Sequence, residues 1–238
     1  MMAPTTTRKW TRFQRPDAAG AMPVLMTLVL VTLICGVQVT AAGAEQRPMK
    51  IVAFGDSLTA GFGVAPNEAF PVRLQAALTA RGHRVEIVNA GVSGDTTAAG
   101  LERLDWAVGE DADGVILELG ANDALRGLPP EVTRANLEAL IVRLKAKGMP
   151  ILLAGMKAPR NWGEDYARSF DAIFPDLAAR HGLGFYPFFL EGVAVDPSLN
   201  QDDGMHPNAR GVDRIVAGIL PSVEALIGVV AKRRGDGT

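Results

Sequence analysis

A serine, an aspartate and a histidine stand where their types and spacing could do nucleophilic chemistry. Ser57 follows an apolar run that stops at Gly55, within the stretch IVAFGDSLTAGFG at 51–63. Asp203 and His206, three residues apart, can face one another across a single turn. A serine hydroxyl attacks poorly unless a base takes its proton, and imidazole, with an unperturbed pKa of about 6.5, suits that task. A carboxylate on the other ring nitrogen fixes the tautomer and stabilises the cation. Acyl transfer also needs donors on the developing oxyanion, each commonly worth about 3 kcal/mol of barrier. The amides of Ser57 and Gly94 and the side-chain NH2 of Asn122 are available, and glycine at 94 lets backbone approach the reacting carbon.

Competing residues are few. From residue 45 on, serine occurs only at 57, 93, 169, 198 and 222, and Ser93 is the rival because GVSG nearly spells a G-x-S-x-G elbow. Its second glycine comes one residue early, so Ser93 is read as a loop hydroxyl. Asp56 reads as a helix cap that shapes the Ser57 turn, and Asp202 is the second choice for orienting the imidazole. His83, in a charged loop, and His181, at a helix end, read as surface residues. Neither G-x-G-x-x-G nor G-x-x-x-x-G-K-[ST] is present, and Asp56 would repel a phosphate.

These side chains need a frame that gathers them. From residue 50 onward short β-rich runs alternate with longer stretches of helical period, as in βα units around a parallel sheet. The pattern predicts strands near 50–54, 84–89, 114–119, 150–155 and 183–188. It predicts helices near 67–81, 96–108, 131–147, 164–181 and 207–232. Gly82, Gly148 and Gly182 mark helix ends, and Pro129-Pro130 opens a helix. The expected fold is a three-layer α/β/α sandwich with a five-stranded parallel sheet in flavodoxin-like order 2-1-3-4-5, whose C-terminal strand ends gather the loops on one edge.

The blocks FGDSLTAG, NAGVSGDTT, ELGANDALRG and QDDGMHPN occur in that order and together resemble the GDSL, or SGNH, hydrolases. The likeness is greatest to their bacterial periplasmic thioesterase, lysophospholipase and arylesterase branch. The resemblance implies Ser57 as nucleophile, His206 as base, Asp203 as its partner, and Ser57, Gly94 and Asn122 as the oxyanion hole. It also implies hydrolysis of an ester or thioester through an acyl-enzyme, without metal or cofactor. Gly91 and Ala121 stand where close relatives carry serine and glycine. Leu125 and Leu128, after Asn122, and Trp162 and Tyr166, after the fourth strand, are expected to line an acyl groove. Ordinary loop packing is the competing reading for these four. Two further readings of the whole chain stay open: a non-catalytic ligand-binding domain of flavodoxin type, and a phosphatase using Asp56, which would need a second carboxylate beside it.

The 238 residues, 48% hydrophobic, suit one domain plus a leader. Arg8, Lys9, Arg12 and Arg15 precede an apolar stretch at about 21–39 that ends in Ala42-Gly43-Ala44, which is the pattern of a secretory signal peptide over 1–44. The hydrolase domain is then 45–238. The alternative is an uncleaved membrane anchor. Ile34 before Cys35 argues against lipidation, and Cys35, the only cysteine, leaves no disulfide after cleavage. Losing four basic residues and one acid takes the net charge from −2 to about −5, a poor match for nucleic acid. The expected product is a periplasmic or secreted monomer acting on a small acyl substrate.

Overall fold

A computed structural model describes residues 47–235. The proposed leader, residues 1–44, lies outside the described residues. Five strands, β1 (Met49–Gly55), β2 (Val85–Gly91), β3 (Gly114–Glu118), β4 (Ile151–Ala154) and β5 (Gly184–Tyr186), form one parallel sheet in the order β2-β1-β3-β4-β5. The order is the flavodoxin-like one the sequence predicts. Central strands carry continuous apolar runs, Ile51 to Phe54 and Val115 to Leu117 being buried, because helices cover both faces of the sheet.

The helices are α1 (Ser57–Ala60), α2 (Phe70–Ala80), α3 (Thr97–Ala107), α4 (Ala121–Leu125), α5 (Pro130–Ala146), α6 (Glu164–Asp171), α7 (Ile173–His181) and α8 (Ala209–Arg234). Helix α2 packs with α8, while α5 packs with α3 and α7. Two departures from the sequence pattern have local causes. The helix expected over 164–181 is two helices, broken at Ala172. Pro175 has no N–H for the Asp171 carbonyl, and the restart at Ile173 brings it into a first turn, where no such bond is required. Helices α1 and α4 went unpredicted because four or five residues cannot display a helical period.

Register decides where the loops leave the sheet. Gly55 pairs with Gly91 on one side and Glu118 on the other, so β1, β2 and β3 end level. The loop after β2 is tied to that edge by Val92 N–H donating to the Gly55 carbonyl at 3.0 Å. Gly91 is where serine was noted in close relatives. A Cβ there would lie 2.3 Å from Ala60 N and 2.8 Å from the Asp56 carbonyl oxygen, so this chain has closed the space a side chain would occupy.

Candidate active site

Ser57 is the first residue of α1. Asp56 caps that helix, its Oδ1 accepting from Leu58 N–H at 3.0 Å, which turns the chain sharply and brings the serine to the sheet edge. Ser57 itself is 9% exposed, and its hydroxyl meets His206 Nε2 at 2.9 Å. His206 Nδ1 meets Asp203 Oδ2 at 2.6 Å. The carboxylate therefore holds a proton on Nδ1 and leaves the Nε2 lone pair to accept from the serine hydroxyl.

Asp203 is fixed by its own turn. Its Oδ1 accepts from the N–H groups of His206 and Met205, each at 2.9 Å. The His206 N–H, then the imidazole, then the Met205 N–H hold the carboxyl down at about 2. Because the folded-state value is depressed, these bonds are present above the ordinary carboxylate range near 4 and are lost as pH falls toward 2. The Asp203 carboxyl resonance in an NMR titration is expected to stay ionised down to about pH 3, so Asp203 does not cause loss of activity at milder acidity. Asp202, its neighbour, is exposed.

The imidazole is also braced. The Phe62 ring lies 4.6 Å from the His206 ring at 43°, and Gln201 Nε2 donates both to the Phe62 carbonyl at 2.8 Å and to the Pro207 carbonyl at 2.9 Å. One glutamine thus stitches the loop after α1 to the loop before α8.

Asn122 lies on α4. Its Nδ2 donates to Asp56 Oδ2 at 3.2 Å and to the Asp95 carbonyl at 3.0 Å. Its neighbour Asp123 is buried and accepts from the N–H and hydroxyl of Thr97, at 2.8 and 2.5 Å, and from the Thr133 hydroxyl at 3.2 Å, joining α3, α4 and α5 beneath the amide. Gly94 sits in the adjoining turn, where its carbonyl accepts from Arg126 at 2.8 Å. An added Cβ would meet nothing nearer than Arg126 Nη2 at 4.0 Å, so what requires glycine at 94 is the φ of +87°.

Ser57, Asn122 and His206 share the wall of a mainly apolar cavity of about 630 Å³. Gly94 is not part of that wall. Leu125 is, but Leu128, Trp162 and Tyr166 are not. Tyr166 donates its hydroxyl to the Leu128 carbonyl at 2.8 Å and stacks on Phe170, and Trp162 lies against Gly127. Trp162 and Tyr166 thus brace the loop after α4, which carries Leu128, from behind. Met156 and Ala158, and beyond β5 Phe188, Leu190, Ala194 and Val195, line the cavity instead. The sequence signal for the second group was an apolar content in 187–195 that fits neither a strand nor a helix period.

Sequence reasoning also missed Arg103. It is buried, and its guanidinium donates to Asp95 Oδ2 at 2.5 Å, the Ala90 carbonyl at 2.9 Å and the Gly55 carbonyl at 2.8 Å. Of the other candidates, Ser93 is exposed in its turn, and His83 and His181 pair with Glu224 and Glu138, each at 3.2 Å.

The arrangement can deprotonate a hydroxyl beside an apolar pocket. A family model described as GDSL-like Lipase/Acylhydrolase family matches residues 53–214. An arylesterase of Vibrio mimicus is 39% identical over 167 residues, spanning 70% of this chain and 84% of the relative. Thioesterase 1/protease 1/lysophospholipase L1 of Escherichia coli K12 is 37% identical over 159 residues, spanning 66% and 75%. The crystal structure of AlinE4, an SGNH-hydrolase family esterase, is 45% identical with a TM-score of 0.65, covering 76% of this chain and 97% of that one.

Proposed function

The chain belongs to the GDSL-like lipase/acylhydrolase family, and from that premise we propose that it is a serine esterase whose nucleophile is Ser57, with His206 as base and Asp203 as its orienter. The hydrolysis of ester bonds rests on the family and on relatives named as esterases and thioesterases, against which the ligand-binding and phosphatase readings have no comparable support. The observation that carries the residue roles is the hydrogen-bonded chain Asp203–His206–Ser57, ending at a cavity wall.

In the proposed reaction the Ser57 oxygen bonds to the acyl carbon as Nε2 takes its proton, and charge moves onto the former carbonyl oxygen. The Ser57 and Gly94 amides and the Asn122 NH2 receive that charge. Collapse breaks the bond to the alcohol or thiol, which leaves with the proton from His206. Water then adds to the acyl-enzyme by the same route and restores the serine. Aryl esters and thioesters both suit this path, since each offers a good leaving group.

The test is labelling with a fluorophosphonate, followed by peptide mass spectrometry. The phosphonyl group is expected on Ser57, with p-nitrophenyl butyrate hydrolysis lost in step; a label on Ser93 would overturn the assignment. The apolar cavity accepts the acyl part in this reading. Ala194→Trp, which fills it, is expected to lower kcat/KM for decanoyl esters at least tenfold more than for butyryl esters, since roughly 1–3 kcal/mol of pocket discrimination is available. Equal losses on both would remove the cavity from the substrate path.

The proposed destination is the periplasm or the outside of the cell, with the leader removed after Ala44 and the product a monomer. Support comes from the basic, apolar, small-residue order of residues 1–44 and from a family match that starts beyond it, at residue 53. Amino-terminal sequencing of the exported protein is expected to begin at Glu45.

A further inference from the structure

Beneath the site lies a pair of acids with no part in the chemistry above. Asp56 and Glu118 are both fully shut from solvent. Glu118 Oε2 accepts from the Thr59 hydroxyl at 2.7 Å and from Asp56 N–H at 3.4 Å, while its Oε1, among the described residues, has no hydrogen-bond partner. Asp56 Oδ1 is taken by Leu58 N–H, and Oδ2 by Asn122.

The Asn122 amide can sit either way round, and its neighbours decide which. Both groups facing its Nδ2, the Asp56 carboxylate and the Asp95 carbonyl, are pure acceptors, so nitrogen and not oxygen must occupy that position. A carboxylic acid in place of the carboxylate would be a donor, so Asp56 and the Asp95 carbonyl would then call for opposite ends of the amide and no longer fix it together.

We propose that Asp56 is a positioning residue that acts through Asn122, its carboxylate locking the amide with the NH2 turned toward the Ser57 turn. This rests on the reading of Asn122 as an oxyanion donor. The Asp95 bond is the one Asn122 gives up when an oxyanion arrives, and the Asp56 bond persists. Glu118 is the neutral member of the pair: burial first, and then the Asp56 charge, push its carboxyl well above the usual range. Burial also lifts Asp56, to about 6, against the Leu58 N–H, the Asn122 amide and the nearby His206; Asp95 adds to the rise. Other charged groups at this edge are Arg103, on the Gly55 carbonyl, Arg126, on the Gly94 carbonyl, and Asp123, held by Thr97 and Thr133. Asp56 is therefore a carboxylate above about pH 6 and an acid below, so the lock holds at neutral pH and fails on acidification.

The experiment is a double-mutant cycle on the full chain with p-nitrophenyl butyrate, combined with pH profiles. Asp56→Asn, isosteric but able to donate, is expected to lower kcat roughly tenfold to a hundredfold, less than loss of the donor itself, with KM nearly unchanged. Asp56→Asn combined with Asn122→Ala is expected to be no slower than Asn122→Ala alone. The acid limb of the kcat profile should involve two protons in wild type and one in Asp56→Asn. Full additivity of the two substitutions would overturn the positioning role. If Asn122→Ala alone leaves kcat unchanged, the oxyanion reading fails, and this inference with it. Should Asp56→Asn not fold, the wild-type profile decides: a one-proton acid limb overturns the proposal.

Discussion

Ser57→Ala is expected to fold normally and to lose esterase turnover by about 10⁴-fold or more, the scale on which removing the nucleophile of a serine hydrolase acts. The substitution deletes one oxygen and one hydrogen bond, that to His206 Nε2 at 2.9 Å. A net hydrogen bond is worth about 1 kcal/mol, so the thermal midpoint should barely move. The framework around the serine is independent of its hydroxyl: the Asp56 cap and the bonds of Ala60 N–H to the Asp56 carbonyl, at 2.9 Å, and of Gly61 N–H to the Ser57 carbonyl, at 3.1 Å, all stay. Activity and stability therefore separate in this variant, as they would not if Ser57 were a structural hydroxyl. The measurement is steady-state hydrolysis beside a melting curve. Ser93→Ala is the control and should retain turnover, and the reverse outcome would move the nucleophile to the turn after β2.

Arg103→Leu has the opposite signature, with stability lost first. The guanidinium touches the ends of both β1 and β2 and the turn between β2 and α3, and it lies 4.1 Å over the Phe54 ring. Leucine replaces the stem but leaves the Asp95 carboxylate, 12% exposed, without its cation and the Gly55 carbonyl with Val92 N–H in place of two donors. Breaking such a buried pair from one side costs about 3–5 kcal/mol. For a domain of this size each kcal/mol moves the midpoint by roughly 2–4 °C, so a fall of roughly 10 °C is expected in calorimetry. Arg103→Lys should recover little of it, because one ammonium cannot reach three acceptors set by a planar fork. A melting point within a degree of wild type would show that the two strand ends and the turn hold together without the guanidinium.

The sheet and its order were legible because burial on both faces of the central strands forces apolar runs, and glycine marks where the first four strands end. The Asp203–His206 contact was legible for a local reason: three residues on one turn cannot lie far apart. Contacts that depend on register were not legible. Arg103 reads as an ordinary helix charge until the fold brings Gly55, Ala90 and Asp95 around it. Glu118 reads as a polar strand end until it is found opposite Asp56, where it supplies the second carboxylate that the sequence offered no neighbour for. Trp162 and Tyr166 were expected in the groove because aromatic side chains suit one, yet Tyr166 needs an acceptor for its hydroxyl and finds it at Leu128, on the far side of the loop.

The segment between β5 and α8 has a consequence for how such a protein can be altered. Phe188 to Val195 supply one wall of the pocket, outside every strand and helix of the scaffold, while the serine turn and the amide sit on the rigid rim. In the proposed reaction, the residues that would select a molecule and those that would react with it are thus anchored to different parts of the protein. Exchanges at Phe188, Leu190, Ala194 and Val195, sparing the buried Phe189 and Val193, are expected to retune what is accepted while leaving the bond-breaking apparatus as it was, which makes these four the natural place to begin when redirecting the enzyme to a new ester.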